Sequence, residues 1–171
     1  MPRIFLMIGV VLALAACGNS SPEASRAMGS SANLYPGETP QMRASVRQYA
    51  AKHDIPEALL HRVIQRESDY RPHARNGPYW GLMQILPQTA RQMGFRGEPQ
   101  DLLDAEVNLK YAGRYLKGAW LVSNGDIDRA VMWYARGYYY EARDRCLLVA
   151  TGLRQREVRR DCPSRQASDR T

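Results

Sequence analysis

Cysteine, histidine and long apolar runs are scarce in this chain, and each scarcity narrows what it can be. Of 171 residues, three are histidine (His53, His61, His73) and three are cysteine (Cys17, Cys146, Cys162). Neither set has the paired spacing of a metal site, so no metal is expected. No Walker-type or dinucleotide-binding glycine loop is present, and no cofactor is expected. No repeat of 20–50 residues appears, which removes solenoid architectures. No segment alternates apolar and polar residues with period two, so a large sheet is not expected; apolar residues recur at helical intervals instead. Acidic residues are in deficit, 17 against 24 Lys and Arg, for a net charge of +7. A basic balance suits nucleic acid, an anionic membrane surface or an anionic polymer, and does not choose among them.

The longest apolar run is Ile4 to Ala16, behind the short positive segment Met1-Pro2-Arg3. A bilayer span needs about 20 apolar residues, so this run has the length of a signal-peptide core instead. It ends in Leu14-Ala15-Ala16-Cys17. Small residues before a cysteine at this place resemble the bacterial lipobox. The resemblance implies a lipoprotein signal peptide over residues 1–16, cleavage before Cys17 and lipidation of its thiol. Gly18 follows, where Asp often marks retention in the inner membrane of a Gram-negative cell, so the periplasmic face of the outer membrane is the expected location. The export signal argues against a nucleic-acid partner. With Cys17 lipidated, Cys146 and Cys162 remain, and an oxidising compartment permits a disulfide between them.

The chain reads as four regions, the signal peptide being the first. After the signal peptide, residues 17–40 are rich in Ser, Gly, Pro, Ala and Asn and read as a flexible tether. About 23 flexible residues span roughly 25–30 Å on average. Residues 41–150 read as a single mainly α domain. Helices are expected over Gln41 to His53, from Pro56 to Glu67, from Pro87 until Gly94 stops it, over Asp104 to Val122, and from Asp126 to about Arg143, with a loop at Asn76 to Trp80. Residues 151–171 form a basic tail, expected to be loosely packed from Gly152: Arg154 to Thr171 holds six Arg against Glu157, Asp161 and Asp169. A disulfide would pin part of this tail.

Glu67 stands out within the second helix. Leu60, Val63 and Ile64 lie seven, four and three positions before it and share its face. A carboxyl group thus emerges at the end of an apolar stripe, near a helix C-terminus. Partial burial and the negative end of the helix dipole both raise a carboxyl pKa, as a general acid near neutral pH requires. From periodicity alone, a Glu paired with a nearby Arg such as Arg71 is the favoured reading.

The residues that follow narrow it. Glu67-Ser68, Arg71-Pro72-His73-Ala74, Gly81-Leu82-Met83-Gln84 and Pro87-Gln88-Thr89-Ala90 occur in order, then Asn108-Leu109, Gly113-x-Tyr115-Leu116 and Trp133-Tyr134-Ala135-Arg136-Gly137. This series, from about Ile55 to Tyr140, resembles the soluble-lytic-transglycosylase-like family with its lysozyme-like helical fold. The resemblance implies a peptidoglycan lytic transglycosylase. Glu67 would be acid and then base at the bond between N-acetylmuramic acid and N-acetylglucosamine, leaving 1,6-anhydro ends. Asn76, Gln84, Leu86, Tyr134 and Met83 match the positions that line the sugar site, with core packing as the alternative for Met83 and for Trp80. Tyr138, Tyr139 and Tyr140 are further candidates for a groove.

The sequence departs from the family pattern at two places. Asn76 stands where Ser is usual, in a loop about one residue shorter. Ala135-Arg136 replaces Asn-Ala, and Arg136 either meets a peptide-stem carboxylate or faces solvent. Asp69 would turn about 200° from Glu67 on a continuing helix; Asp101, Asp104 and Glu106 stay open as a second carboxylate, but none sits in a family motif. A lysozyme-like hydrolase and a non-catalytic peptidoglycan-binding lipoprotein are the competing readings.

Overall fold

The computed structural model describes residues 33–163. Contacts separate Met1–Asn33 from Leu34–Thr171, and the second unit is described here. The signal segment, Cys17, the tether up to residue 32 and tail residues 164–171 lie outside the described residues.

Helix α1, Pro40–His53, begins where Pro40 supplies a helical φ and the Thr39 hydroxyl accepts from Met42 N–H at 3.1 Å. Asp54 ends it in the left-handed region. Helix α2, Glu57–Ser68, follows almost at once, with Pro56 at its cap position rather than inside its first turn. Its apolar stripe of Leu59, Leu60, Val63 and Ile64 is wholly buried. Each such side chain contributes about 1.5–3 kcal/mol. A short antiparallel ladder, β1 (Arg75–Asn76) and β2 (Tyr79–Trp80), turns at Gly77-Pro78 where a plain loop is expected from sequence. Then come α3 (Pro87–Gln92), a 3₁₀ turn over Pro99–Leu103, and the long α4 (Ala105–Val122). Asp104 caps α4 by accepting from Val107 N–H at 2.9 Å. Helix α4 runs through the middle of the domain, packed against α1, α3, the 3₁₀ turn and α5.

The long last helix expected over Asp126 to Arg143 is two. α5 spans Ile127–Arg136 and α6 spans Tyr139–Asp144. Gly137 separates them at φ 83, a conformation that side-chain-bearing residues rarely adopt. The break drops Tyr138 into the core, where its hydroxyl donates to the Tyr115 carbonyl at 2.8 Å.

Both ends of the domain extend beyond the expected limits. The last residues assigned to the tether belong to the fold. The Glu38 side chain is fully buried and takes Arg43 Nε at 2.6 Å and Nη2 at 2.5 Å. Tyr35 stacks on Tyr70 at 6.1 Å between ring centroids. A buried carboxylate needs a charged partner, and that pairing fixes the entry to α1. The tail is held too. Cys146 and Cys162 form a disulfide, and the Glu157 carboxylate accepts from Leu148 N–H at 3.2 Å and Val149 N–H at 2.8 Å. Leu153 packs against the core. The segment after Gly152 is therefore ordered to at least Cys162, not loose. Closing a loop of 16 residues is worth about 3 kcal/mol through the unfolded chain. The double variant Cys146→Ser/Cys162→Ser is expected to lose that amount, read as a lower denaturant midpoint; an unchanged midpoint would remove the disulfide as a stabilising element.

Candidate active site

Glu67 sits one residue before the end of α2, half-buried, with 22% of its side chain exposed. Burial pushes its carboxyl above the ordinary value, and the Arg66 guanidinium, 3.6 Å away, works in the opposite direction. Burial dominates, so the direction read from the helix stripe holds. Arg71 is not its partner: Arg71 Nε donates to the Ser68 carbonyl at 2.8 Å. The site is thus a raised carboxyl group with one exposed, imperfectly placed cation beside it.

Facing α2 is the turn from Trp80 to Leu86, and four side chains fasten it. Ser68 donates to the Leu82 carbonyl at 2.6 Å, tying the residue after Glu67 to the loop. Asn108 on α4 has no exposed surface; its carbonyl oxygen accepts from Met83 N–H at 2.9 Å, and its amide donates to the carbonyls of Trp80 at 3.0 Å and Leu102 at 2.8 Å. Tyr134 on α5 donates to the Met83 carbonyl at 2.8 Å. Gln84 Nε2 donates to the carbonyls of Gly81 at 2.8 Å and Ala74 at 3.0 Å. Gly81 is required here. Its φ is +77, and a Cβ would lie 2.0 Å from the Leu102 carbonyl and 2.2 Å from Asn108 Nδ2. Several of the sequence motifs are accordingly contacts of one turn: Ser68, Ala74, Asn108 and Tyr134 all hold the same seven-residue segment.

Two adjoining hollows open on this turn. One of about 270 Å³ is lined by Arg66, Glu67, Asn76, Tyr79, Gln84, Tyr134 and Ala135. The other, about 190 Å³, shares Tyr79, Gln84, Tyr134 and Ala135 with it and adds Leu86, Thr89 and Tyr115 among others. Glu67, Asn76, Gln84, Leu86 and Tyr134 are therefore brought together as the sequence places them. Within this group the polar atoms have distinct standing. Both Gln84 amide hydrogens go to backbone carbonyls, leaving Oε1 buried without a partner. An unpaired buried acceptor costs free energy, and a donor arriving in the hollow would relieve it. Burial raises the Tyr134 hydroxyl well above its ordinary pKa, with the nearby Glu67 charge pushing the same way, and Tyr115 is raised to about 12. Both remain neutral donors at any working pH.

Met83 does not belong to the lining. Its side chain is wholly buried, and its part in the site is through its backbone, held by Asn108 and Tyr134. Trp80 is likewise buried, with the Arg75 guanidinium over its ring at 3.9 Å. Neither Tyr138, Tyr139 nor Tyr140 lines either hollow. Tyr79 does, with 44% of its surface exposed, and sequence reasoning passed it over. The Gly-Pro turn beside it was the available signal, because a tight hairpin projects its flanking aromatic outward.

Glu67 is the sole carboxylate lining these two hollows among the described residues. Asp69, at the left-handed C-cap of α2, lines neither hollow. Asp101 and Asp104 line a separate hollow with Phe95 and Lys110, and Glu106 takes the Ser45 hydroxyl. No group of three or more metal-ligating side chains occurs among the described residues, nor does any helix there have the length and apolarity to cross a membrane. The family model described as the transglycosylase SLT domain matches residues 44–144, from within α1 to the end of α6. No solved structure matches the chain.

Proposed function

Because the chain belongs to the transglycosylase SLT domain family, whose members are lytic transglycosylases with a lysozyme-like fold and peptidoglycan as substrate, we propose that Glu67 alone serves as acid and base in cleaving the bond between N-acetylmuramic acid and N-acetylglucosamine. The observation that carries this reading is one raised carboxyl group in a cleft lined by no other carboxylate. Glycosidases that spend a water normally hold two carboxyl groups, about 5–5.5 Å apart or 6.5–9.5 Å apart. A single acid suffices where the substrate supplies the nucleophile. The Glu67 proton passes to the glycosidic oxygen as the C1–O bond breaks, with the muramyl N-acetyl oxygen supporting C1. The muramyl 6-hydroxyl then attacks C1 and returns its proton to the Glu67 carboxylate. The acid is regenerated, no water is consumed, and the product carries a 1,6-anhydro ring. Asn76, Gln84, Tyr79 and Leu86 offer the amides and apolar faces that a sugar's polar and C–H surfaces take, and Tyr134 fixes the turn that carries two of them.

Incubation with purified sacculi tests the reading. Soluble muropeptides whose muramyl ends resist borohydride are expected, since an anhydro end has no aldehyde to reduce. Borohydride-sensitive ends would make the protein a hydrolase of the same bond, and no solubilisation would make it a binder.

The lipobox-like segment supports a second proposal, that the enzyme is anchored through lipidated Cys17 on the periplasmic face of the outer membrane. Cys17→Ser is expected to move the protein from the membrane to the soluble fraction; retention in the membrane would count against the anchor.

A further inference from the structure

Beside the Glu67 hollow lies a third, of about 340 Å³, lined by Arg62, Arg66, Asp128, Val131, Met132, Ala135 and Arg136. Arg62 and Arg66 are one helical turn apart on α2, and the other five residues form one face of α5. Three guanidinium groups thus meet one carboxylate over an apolar floor. They are not equivalent. Arg62 is paired with Asp128 at 2.5 Å, and Arg66 leans on Glu67 at 3.6 Å. Arg136 is exposed and has neither ion pair nor hydrogen bond among the described residues. It is the last residue of α5, where the helix dipole favours a cation, so its charge is tolerated without an acidic partner. Arg66 and Ala135 line this hollow and the Glu67 hollow alike, and Arg136 also lines the second hollow of the cleft, so this hollow adjoins both.

Resting on the transglycosylase reading of the Glu67 cleft, we propose that this hollow is a stem-peptide subsite in which Arg136 binds a free carboxylate of the peptide attached to the muramyl residue. The N-acetylated sugars of a peptide-bearing strand are neutral, so its anionic groups are the stem carboxylates. A guanidinium binds a carboxylate in a two-pronged, charge-assisted fashion. The apolar floor of Val131, Met132 and Ala135 suits the alanine methyl groups of such a peptide. Arg136 would then set which strands are cut and take no part in bond breaking.

The test uses two synthetic muropeptide strands that differ only in stem carboxylates, free in one and amidated in the other. Calorimetry with the Glu67→Gln variant reads the contact without turnover. The free-acid strand is expected to bind about tenfold more tightly, the scale of one charged hydrogen-bonded contact. Adding Arg136→Gln to that variant should remove the difference, and Arg136→Lys, which keeps the charge and loses the fork, should retain part of it. Equal affinities for the two strands, or a preference that survives Arg136→Gln, would overturn the subsite. A preserved preference in a wild-type protein that cleaves neither strand would overturn the enzymatic reading while leaving the subsite standing.

Discussion

Glu67→Gln is expected to lower the release of muropeptides from sacculi by about 10²–10⁴-fold, the usual contribution of a positioned acid/base, with the fold retained. Glutamine keeps the shape and half the hydrogen-bonding capacity of the side chain but has no proton to give the glycosidic oxygen and no charge to take one from the 6-hydroxyl. The wild-type pH dependence should carry the signature of the same group. Burial raises the folded Glu67 pKa, so the acid stays protonated above the ordinary glutamic range, and the rate falls as pH rises through that raised value. Stability follows the same linkage with a definite sign. The folded state binds the proton more tightly than the unfolded chain, so wild type loses stability as pH rises from the unfolded Glu67 pKa through the folded one. The variant is spared that loss. Its melting temperature should match wild type well below the ordinary carboxyl range and exceed it near neutral pH. A melting difference that ignores pH would show that Glu67 is not perturbed in the folded protein. Near-wild-type turnover in the variant would remove it from the chemistry.

A second large effect, on stability, is expected at Asn108, a buried residue that lines neither hollow of the cleft. Asn108→Ala would strip the partner from two buried backbone groups, Met83 N–H and the Leu102 carbonyl, and one of two donors from the Trp80 carbonyl, which keeps Ile85 N–H. Each unsatisfied group costs about 1–3 kcal/mol, so a loss of roughly 2 kcal/mol or more is expected. Activity should fall further than stability alone accounts for, because Gln84 and Leu86 ride on the turn that Asn108 holds. Denaturant unfolding and sacculus turnover, measured below the midpoint of the variant, separate the two effects. A loss under 1 kcal/mol, with turnover intact, would show that Ser68, Tyr134 and Gln84 hold the turn without it.

Those two residues also mark how much of the molecule the sequence could yield. The apolar stripe of Leu60, Val63 and Ile64 located Glu67 on a buried face, because helical periodicity depends only on neighbours in sequence. The motif series brought Asn76, Gln84, Leu86 and Tyr134 to one place, and the fold agrees. What escaped is non-local. Asn108 was legible as part of a motif, but two of its three hydrogen bonds join α4 to a turn 25 and 28 residues earlier, and nothing local announces that. Met83 reads like a cleft residue because it stands beside Gln84, yet Gln84 adopts φ 49, and the turn sends the two neighbours in different directions. The helix from Asp126 continues past Gly137 by apolar spacing alone; a single positive φ ends it. At the N-terminus, a composition of Ser, Gly and Pro suggested a tether up to Pro40, whereas one buried pair, Glu38 with Arg43, brings its final residues into the fold.

Mass spectrometry of the muropeptides released from sacculi tests the central claim most directly, because it reads the bond cleaved and the nucleophile together. A Glu67 acid acting without a second carboxylate predicts products one water lighter than reducing-end muropeptides, released by wild type and absent with Glu67→Gln. Products of full reducing-end mass would mean that water attacks C1, and would contradict transglycosylation by a single acid/base.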